Sequence, residues 1–225
     1  MASDETQLRE AIAEFASGTA HDFSNFLQII MGFSEFLQAQ HAADPELAQG
    51  LQEILTAGHR AKGFVGQLLT LAKRREFQLQ PAELNGLVRR LEPALRESLG
   101  ERIRLELRLA AEPLELALDV PGVEQMLTLL AAQAKDAMSK GGTLTMATSR
   151  DGAGIRLSMQ DTGAAFQPEW RPRVAEPYFM KRQGRGRGLE FAVTYALMEE
   201  YGGAVEVGAA GESGAAVHLR FPRGG

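Results

Sequence analysis

The segment from Ala20 to Leu27, AHDFSNFL, lies inside the first of two long stretches whose apolar residues recur at helical spacing. Between Gln7 and about Arg75 these residues are Phe15, Phe26, Ile29, Ile30, Phe33, Phe36, Leu37, Leu47, Leu51, Ile54, Leu55, Val65, Leu68 and Leu71. The pattern breaks from His41 to Pro45, where Asp44 before the proline is typical of a helix start. The sequence therefore predicts two long antiparallel helices.

An isolated pair of helices has too little mutual surface to bury two apolar stripes. A second copy of the same hairpin would cover both stripes and close a four-helix bundle. We therefore expect a homodimer that is held together by this part of the chain.

The pattern changes after residues 77–81, FQLQP, because residues 102–109, RIRLELRL, alternate as in a strand with one buried face. Further strands are predicted at 114–118, 143–149, 155–160, 204–207 and 215–221, and helices near 84–98, 123–139 and 189–201. A sheet covered on one face by helices is a two-layer α/β sandwich, so the predicted fold class is α+β. The linker near 74–81 divides the chain into domains at 1–76 and 77–225.

The composition excludes several classes of protein. The 225 residues carry 24 Lys+Arg against 29 Asp+Glu, a net charge of -5 that does not favour nucleic-acid binding. The absence of cysteine excludes disulfides and thiolate metal sites and suits a reducing cytoplasm. No apolar run approaches the roughly 20 residues of a membrane span, and the N-terminus lacks the basic start of a signal peptide. We expect a cytoplasmic protein with no membrane segment in this chain.

His21 is the candidate catalytic residue. A lone helical histidine is more often an ordinary surface residue, but Asp22 follows this one directly and Asn25 lies one turn later on the same face. An acid beside the imidazole can hold Nδ1–H and leave Nε2 with the lone pair needed to attack phosphorus. Asn25 could orient a water for attack on a phosphoaspartate in a docked partner. The histidines that lack this setting are His41, His59 and His218.

The segment Ala20–Leu27 resembles the H-box of histidine-kinase dimerisation and phosphotransfer domains, and the two-helix context agrees with it. By that resemblance His21 is the phosphorylated residue and Asp22 is its acid/base neighbour. Asn25 is then the residue used in phosphatase chemistry, and the expected partner is the receiver domain of a response regulator.

Four later segments resemble, in order, landmarks of the ATP-binding domain of the same family. Residues 136–145 resemble the end of the N-box helix and the next strand, 161–163 the first glycine box, 176–179 the F-box and 184–189 the second glycine box. The resemblance makes the following residues candidates for cofactor binding: Gln133, Asp161, Gly163, Gly186 and Gly188. Asp161 would accept a hydrogen bond from an adenine amino group.

The departures from this pattern fall on the groups that handle the nucleotide. The family has two asparagines one helical turn apart, one of which ligates Mg²⁺, and this chain has Leu129 and Gln133 there. Leucine cannot ligate a metal, and the glutamine carbonyl lies one methylene further out from a cation that requires near-octahedral geometry. Ala165 replaces the glycine that ends the first glycine box and adds bulk.

In the second glycine box, Glu190 stands where a glycine is expected and would bring a carboxylate towards the triphosphate. Two unit charges about 4 Å apart repel by roughly 4 kcal/mol at an effective dielectric of about 20, so an unpaired Glu190 would weaken binding more than about a hundredfold. Basic residues could offset this by attracting phosphates, or could form a solvated loop. They are Lys135, Lys181, Arg182, Arg185 and Arg187.

Three functions are compatible with these features. The first is a phosphotransfer protein or phosphatase that exchanges a phosphoryl group between His21 and a response-regulator aspartate. The second is the catalytic core of an ATP-dependent sensor histidine kinase, the only one of the three that requires Mg-ATP. The third is a non-catalytic scaffold that docks regulators. The group formed by His21, Asp22 and Asn25 argues against the third, because a scaffold needs none of these polar atoms. For the phosphotransfer function we expect no metal-binding residue in this chain.

Overall fold

The computed structural model describes residues 2–72, 77–152, 154–186, 188–211 and 213–222, with side chains at position 14 and from position 18 onward. Among the residues considered above, Arg75, Arg187 and the side chain of Phe15 lie outside this description. The chain divides into two compact units, Met1–Glu76 and Phe77–Gly225. Within the described residues the first unit is helical, and the second combines sheet and helices.

The first unit is a hairpin of two long helices, α1 (Ala2–Gln40) and α2 (Pro45–Leu71). Asp44 caps α2, because its carboxylate accepts a hydrogen bond from Leu47 N at 3.1 Å. The predicted helix break and helix start are therefore confirmed. Within the part of the chain that the structure describes, neither helix nor any other is both long and apolar enough to cross a membrane.

Many large apolar side chains of this hairpin face outward. Each of the following is at least 38% exposed: Phe23, Phe26, Ile29, Ile30, Phe33, Phe36 and Leu37 on α1, and Leu47, Ile54 and Phe64 on α2. Single exposed apolar residues are ordinary, but a contiguous apolar face marks an interaction surface. The hairpin therefore presents a face that a partner must cover.

The second unit contains seven strands, four α-helices and one short 3₁₀ helix among the described residues. In chain order they are β1 (Gln80–Glu83), α3 (Leu84–Leu99), β2 (Ile103–Arg108), β3 (Glu115–Leu118), α4 (Val120–Ala137), β4 (Gly142–Asp151), β5 (Gly154–Asp161), the 3₁₀ helix (Pro168–Arg173), α5 (Phe179–Arg182), α6 (Glu190–Glu200), β6 (Ala204–Ala209) and β7 (Ala215–Phe221).

The four helices α3 to α6 and the strands are arranged as a two-layer sandwich. Five strands form one mixed sheet in the order β2-β4-β5-β7-β6, with β2 and β4 parallel and the other pairs antiparallel. The core lies between one face of this sheet and the helices, and its side chains are almost fully buried. They include Met126, Leu127, Leu144, Met146, Leu157, Val193 and Leu219. The predicted α+β sandwich is therefore confirmed.

Two details differ from the sequence-based expectations. The end of the predicted linker, residues 80–81, belongs with residues 82–83 to β1, which pairs antiparallel with β3 in a separate two-stranded sheet. Pro81 is compatible with this because a two-stranded sheet consists of edge strands. Helix α4 begins at Val120, three residues earlier than expected, because Asp119 accepts a hydrogen bond from Gly122 N at 3.0 Å and caps it.

Candidate functional site

His21 lies on α1 and projects into solvent. Its side chain is 76% exposed, and the side chain of Asp22 is similarly exposed. The Asp22 Oδ1 atom lies 3.7 Å from His21 Nδ1, which is within ion-pair range but too long for a hydrogen bond. The expectation that Asp22 holds Nδ1–H is therefore not met in this arrangement. An exposed imidazole on a helix is accessible to the phosphorylated side chain of another protein.

The hydrogen-bond partner of His21 Nδ1 is Asn25, whose Nδ2 lies 3.2 Å away. The spacing of one helical turn brings the two side chains together, as the sequence predicted. With Nδ2 as donor, Nδ1 accepts and the ring proton lies on Nε2. A half-turn of the Asn25 amide exchanges its oxygen and nitrogen and would instead fix the proton on Nδ1. The orientation of this amide is thus coupled to the position of the ring proton.

Asp161 ends β5 and lies in the interior of the second unit. Its Oδ1 accepts hydrogen bonds from Gly163 N at 2.8 Å and from Ala215 N at 3.2 Å. Burial raises the pKa of this carboxyl, while the two amide donors and the charge of Arg185 partly oppose that rise. A buried carboxylate with a raised pKa at the end of a strand is typical of a site that was built to bind a ligand.

Gly163 lets the chain pass close to the end of α4. A Cβ atom at this position would lie 2.5 Å from the carbonyl oxygen of Ala137, which is shorter than real Cβ contacts. Any side chain here would push the first glycine box away from the helix. The glycine is therefore required by packing, whether or not a nucleotide binds beside it.

The two α4 positions that replace the family's asparagines are both buried. Leu129 offers no ligand atom, and Gln133 is 8% exposed. The Gln133 Oε1 atom has no hydrogen-bond partner among the described residues, and the backbone of Gly186 lies directly against it. This unpaired acceptor could still approach a cation or a donor.

Glu190, the first residue of α6, does not point freely towards a triphosphate. The side chain is only 2% exposed, and its Oε2 accepts a hydrogen bond from Gly188 N at 2.8 Å. The predicted repulsion between Glu190 and a triphosphate assumed an unpaired carboxylate. That assumption was wrong, because Glu190 is paired with the Gly188 N–H. An acidic residue in the first turn is also favoured by the helix dipole.

Arg185 lies over the region next to Asp161. It donates a hydrogen bond from Nη2 to the carbonyl oxygen of Ala165 at 3.0 Å, and its guanidinium carbon lies 4.9 Å from the centre of the Trp170 ring. Burial lowers the pKa of Arg185, and the nearby Asp161 charge opposes this effect. Arg185 is therefore engaged by its own domain.

The other basic residues of the predicted phosphate-attracting group are also partly engaged. Lys135 Nζ donates to the carbonyl oxygen of Ser98, and Arg182 lies 3.7 Å from the Glu176 carboxylate. Lys181 is exposed, and Arg187 lies outside the described residues. Among the described residues, Lys135 and Arg182 are thus held by different parts of the second unit and not around a common anion.

The cavity beneath Asp161 is small. Its volume is about 30 Å³, and its walls are largely apolar, with Asp161 and Arg185 as the charged members. Ligand pockets usually measure roughly 300–1,000 Å³, so this cavity is large enough only for about one or two waters. Among the described residues no group of three or more His, Cys, Asp or Glu side chains could hold a metal ion. In this arrangement the side of the site next to Asp161 has no room for a purine. A larger cavity of about 680 Å³ lies beside Gly184, Gly186 and Lys135.

The sequence did not reveal the contacts that fill this site. Trp170 belongs to a 3₁₀ helix that no periodicity indicates, and it packs edge-on against Phe166 with ring centres 5.6 Å apart. For Arg185 the sequence left two alternatives open, a phosphate contact or a solvated loop, and neither included its contact with Trp170. The presence of a single tryptophan in the chain was the one sequence feature that could have drawn attention to this contact.

A helical hairpin with an exposed histidine, joined in one chain to an α/β sandwich of this topology, defines the core of a two-component histidine kinase. The family comparisons agree. Residues 11–77 match the His Kinase A (phospho-acceptor) domain, and residues 118–225 match the histidine kinase-, DNA gyrase B-, and HSP90-like ATPase. The chain thus carries both domains of a histidine kinase core and is homologous to sensor histidine kinases.

Curated relatives and solved structures show the same relationship. The chain is 26% identical to sensor kinase CckA of Brucella abortus (97% of this chain, 25% of the relative) and 27% identical to sensor histidine kinase ZraS of Escherichia coli K12 (97% and 48%). The chain therefore spans about half or less of these relatives. The structure of full-length ShkA in complex with AMPPNP has a TM-score of 0.78 at 24% identity, covering 93% of this chain and 45% of that one. This last likeness concerns the fold.

Proposed function

We propose that this chain exchanges a phosphoryl group between His21 and an aspartate of a response-regulator receiver domain. The observation that carries the proposal is the exposed imidazole of His21, with Asn25 at hydrogen-bond distance from Nδ1 and the Asp22 carboxylate 3.7 Å from the same atom. The imidazole and the carboxylate are the groups that we expect transfer to or from a second protein to use, and neither requires a nucleotide.

The transfer can be followed atom by atom. With the Asn25 amide turned so that its oxygen faces Nδ1, and with the ring proton on Nδ1, the lone pair of Nε2 attacks the phosphorus of an aspartyl phosphate, and the bond between phosphorus and the aspartate oxygen breaks. The aspartate leaves as a carboxylate, and the imidazole gains a positive charge. Asp22 lies close enough to Nδ1 to stabilise that charge, and transfer back to the aspartate reverses each step.

Apolar side chains on the same helix as His21 support docking of a second protein. Ile29 and Phe36 are 58% and 56% exposed, and they follow His21 by eight and fifteen residues, close to its face of α1. The TM-score to histidine kinase ThkA in complex with response regulator TrrA is 0.62 at 22% identity, covering 93% of this chain and 61% of that one. A receiver domain is the partner that we propose for this surface.

The exposed residues on the remaining part of the hairpin support a dimer. Ile30 on α1 and Ile54 on α2 are both exposed in the single chain, and each belongs to a series of apolar residues at helical spacing. Pairing two hairpins would bury these series in a four-helix bundle. We propose that the phosphotransfer unit is this dimer.

The proposal is tested by following a labelled phosphoryl group. Receiver domains phosphorylated on aspartate are mixed with the protein, and label on the histidine is measured in the unmodified chain, in His21→Gln and in His59→Gln. We expect His21→Gln to abolish transfer and His59→Gln to retain it, because His59 is an exposed histidine of the same helical unit without a comparable neighbourhood. Transfer that persists in His21→Gln would contradict the proposal.

A second candidate is the catalytic core of an ATP-dependent sensor kinase. The observation that favours it is the match of residues 118–225 to the ATPase family, together with the buried Asp161 at the expected position. Incubation with γ-labelled Mg-ATP distinguishes the two candidates. Label that appears on His21 of the unmodified protein and is absent from His21→Gln would establish the kinase, whereas label that arrives only from a phosphorylated receiver supports phosphotransfer.

A further inference from the structure

We propose that the ATPase-like unit is closed against nucleotide by two of its own side chains, with Arg185 filling the base side of the site and Glu190 occupying the phosphate side. The inference rests on the proposed function and deepens it. If His21 exchanges its phosphoryl group with a receiver domain, the second unit does not have to bind ATP. Both residues belong to the segment between α5 and the first turn of α6.

On the base side, Arg185 is held by three groups from different parts of the unit. The carbonyl oxygen of Ala165 accepts its hydrogen bond, the Trp170 ring lies beneath its guanidinium, and the Asp161 charge attracts it. The cavity that remains beside Asp161 measures about 30 Å³. A purine that entered here would have to displace the guanidinium, since about this much space accommodates only water.

On the phosphate side, the Glu190 carboxylate takes the place of an anionic ligand. A helix N-terminus with preceding glycine amides attracts phosphate through its backbone N–H groups. Here the Gly188 N–H donates to Glu190 Oε2, and that oxygen would lie 3.2 Å from a Cβ atom placed on Gly186. A nucleotide phosphate would therefore meet a donor that is already occupied and a buried carboxylate beside it.

A third contact holds the same segment in place. Tyr178 has a backbone φ of 63°, the one positive value among the described residues other than glycine, and its N–H donates to the carbonyl oxygen of Gly188 at 2.6 Å. A positive φ is unfavourable for a residue with a bulky side chain, so surrounding contacts must maintain it. The closed segment is thus tied to the F-box through Tyr178 and to α6 through Glu190.

Glu190 resembles the missing phosphate in charge, because its carboxylate accepts from the amide that would otherwise bind phosphate. Arg185 and Asp161 interact through their opposite charges. The Gly188 N–H is thus paired within the chain and needs no ligand to satisfy it. Glu190, which stands where the family has glycine, therefore opposes phosphate binding in two ways. It occupies the Gly188 N–H, and its negative charge repels phosphate.

The first test uses the fluorescence of Trp170, the only tryptophan in the chain. Removing the guanidinium in Arg185→Ala should shift the emission of Trp170 and increase its quenching by acrylamide, because the ring loses its cover. Arg182→Ala is the matched control, since Arg182 lies in the same region but contacts the exposed Glu176. An identical spectrum and identical quenching in the two variants would overturn the proposal that Arg185 fills the base side of the site.

The second test measures ADP binding by calorimetry, without added metal so that Leu129 and Gln133 do not influence the result. We expect no saturable binding by the unmodified protein, and an affinity higher by about tenfold or more in the double variant Arg185→Ala with Glu190→Gly. Circular dichroism establishes that the variant is folded. Micromolar binding of ADP by the unmodified protein would overturn the inference, and so would the absence of any gain in a folded double variant.

The outcome is separate from that of the proposed function. Transfer from a phosphorylated receiver to His21 is measured without nucleotide, so its failure speaks against the proposed function alone. If transfer is intact but the fluorescence and ADP experiments do not give the expected results, only the proposed closure of the nucleotide site by Arg185 and Glu190 is contradicted.

Discussion

Asn25 shows how a single side chain can separate two activities at one histidine. Its amide lies 3.2 Å from His21 Nδ1, and it could also position a water molecule for attack on a phosphoaspartate. Transfer uses the imidazole itself as nucleophile and does not require that water, whereas hydrolysis does. The residue should therefore matter more for phosphatase activity than for transfer.

We expect Asn25→Ala to slow loss of phosphate from a phosphorylated receiver by roughly tenfold or more while transfer to His21 stays near normal, because a water out of position reacts slowly. The two rates are measured on the same labelled receiver. Asn25→Gln provides a control that retains the amide. Equal loss of both activities in Asn25→Ala would indicate a damaged docking surface instead.

The buried carboxyl of Asp161 lowers the stability of the second unit at neutral pH. Its folded-state pKa is raised above the ordinary value of 3.8 by burial. The stabilising contribution of the protonated form is therefore complete below pH 3.8 and is lost as the pH rises through the folded-state pKa. At neutral pH the ionised carboxylate opposes folding of the second unit.

We predict that Asp161→Asn has an unfolding free energy at pH 7 at least equal to that of the unmodified protein, because the amide oxygen can still accept from Gly163 N and Ala215 N. The unfolding free energy is measured in urea from pH 4 to pH 7. The difference between the two proteins should grow with pH. A variant that is less stable at every pH would show that the charge is compensated in the folded state.

At the scale of elements, the helices and strands could be predicted where the signal is local. Asp44 and Pro45 mark the start of α2, and the alternation from Ile103 to Arg108 predicts β2. The short β1 strand could not be predicted, since its partner β3 lies more than thirty residues away and its proline argues against a strand. The parallel pairing of β2 with β4 likewise depends on tertiary structure.

The candidate site divides in the same way. His21, Asp22 and Asn25 lie within five residues of one helix, so the sequence was sufficient to predict that they are neighbours. The environment of Glu190 was not predictable, because its exposure depends on how the segment before α6 folds against α4. The sequence gives the charge of a residue, but only the packing shows which partner it meets.

Helix α1 carries the surface on which the dimer prediction rests. Ile30 is 49% exposed in the single chain and lies in an apolar series with Phe23 and Leu37, seven residues to either side. In a four-helix bundle this series would face the partner hairpin. A charge in the series would then have to lose its water without gaining a counterion.

We expect Ile30→Glu to separate the dimer, because burial of an unpaired carboxylate costs several kcal/mol. Sedimentation velocity should show monomers for this variant and dimers for the unmodified protein at the same concentration. Gln28→Glu is the matched control, since it adds the same charge at an exposed position that is two residues away. An unaltered dimer in Ile30→Glu would mean that another face forms the interface.

At the scale of the whole molecule, the two units differ in how their cores are completed. The second unit buries its apolar residues within itself, with Met126, Leu144 and Leu157 almost inaccessible to solvent. The hairpin leaves most of its large apolar residues exposed in a single chain. Its stability should therefore depend on association, whereas that of the second unit should not.

We predict two thermal transitions, of which only the one belonging to the helical unit depends on protein concentration. By mass action, dilution lowers the Tm of a unit whose folded state is a dimer and leaves an intramolecular core unaffected. Calorimetry over a hundredfold range of concentration measures both transitions, and Trp170, which lies in the second unit, reports that unit alone by fluorescence. Ile30→Glu should lower or remove the concentration-dependent transition and leave the Trp170 transition in place. A single transition that moves with concentration in both signals would show instead that the two units unfold together.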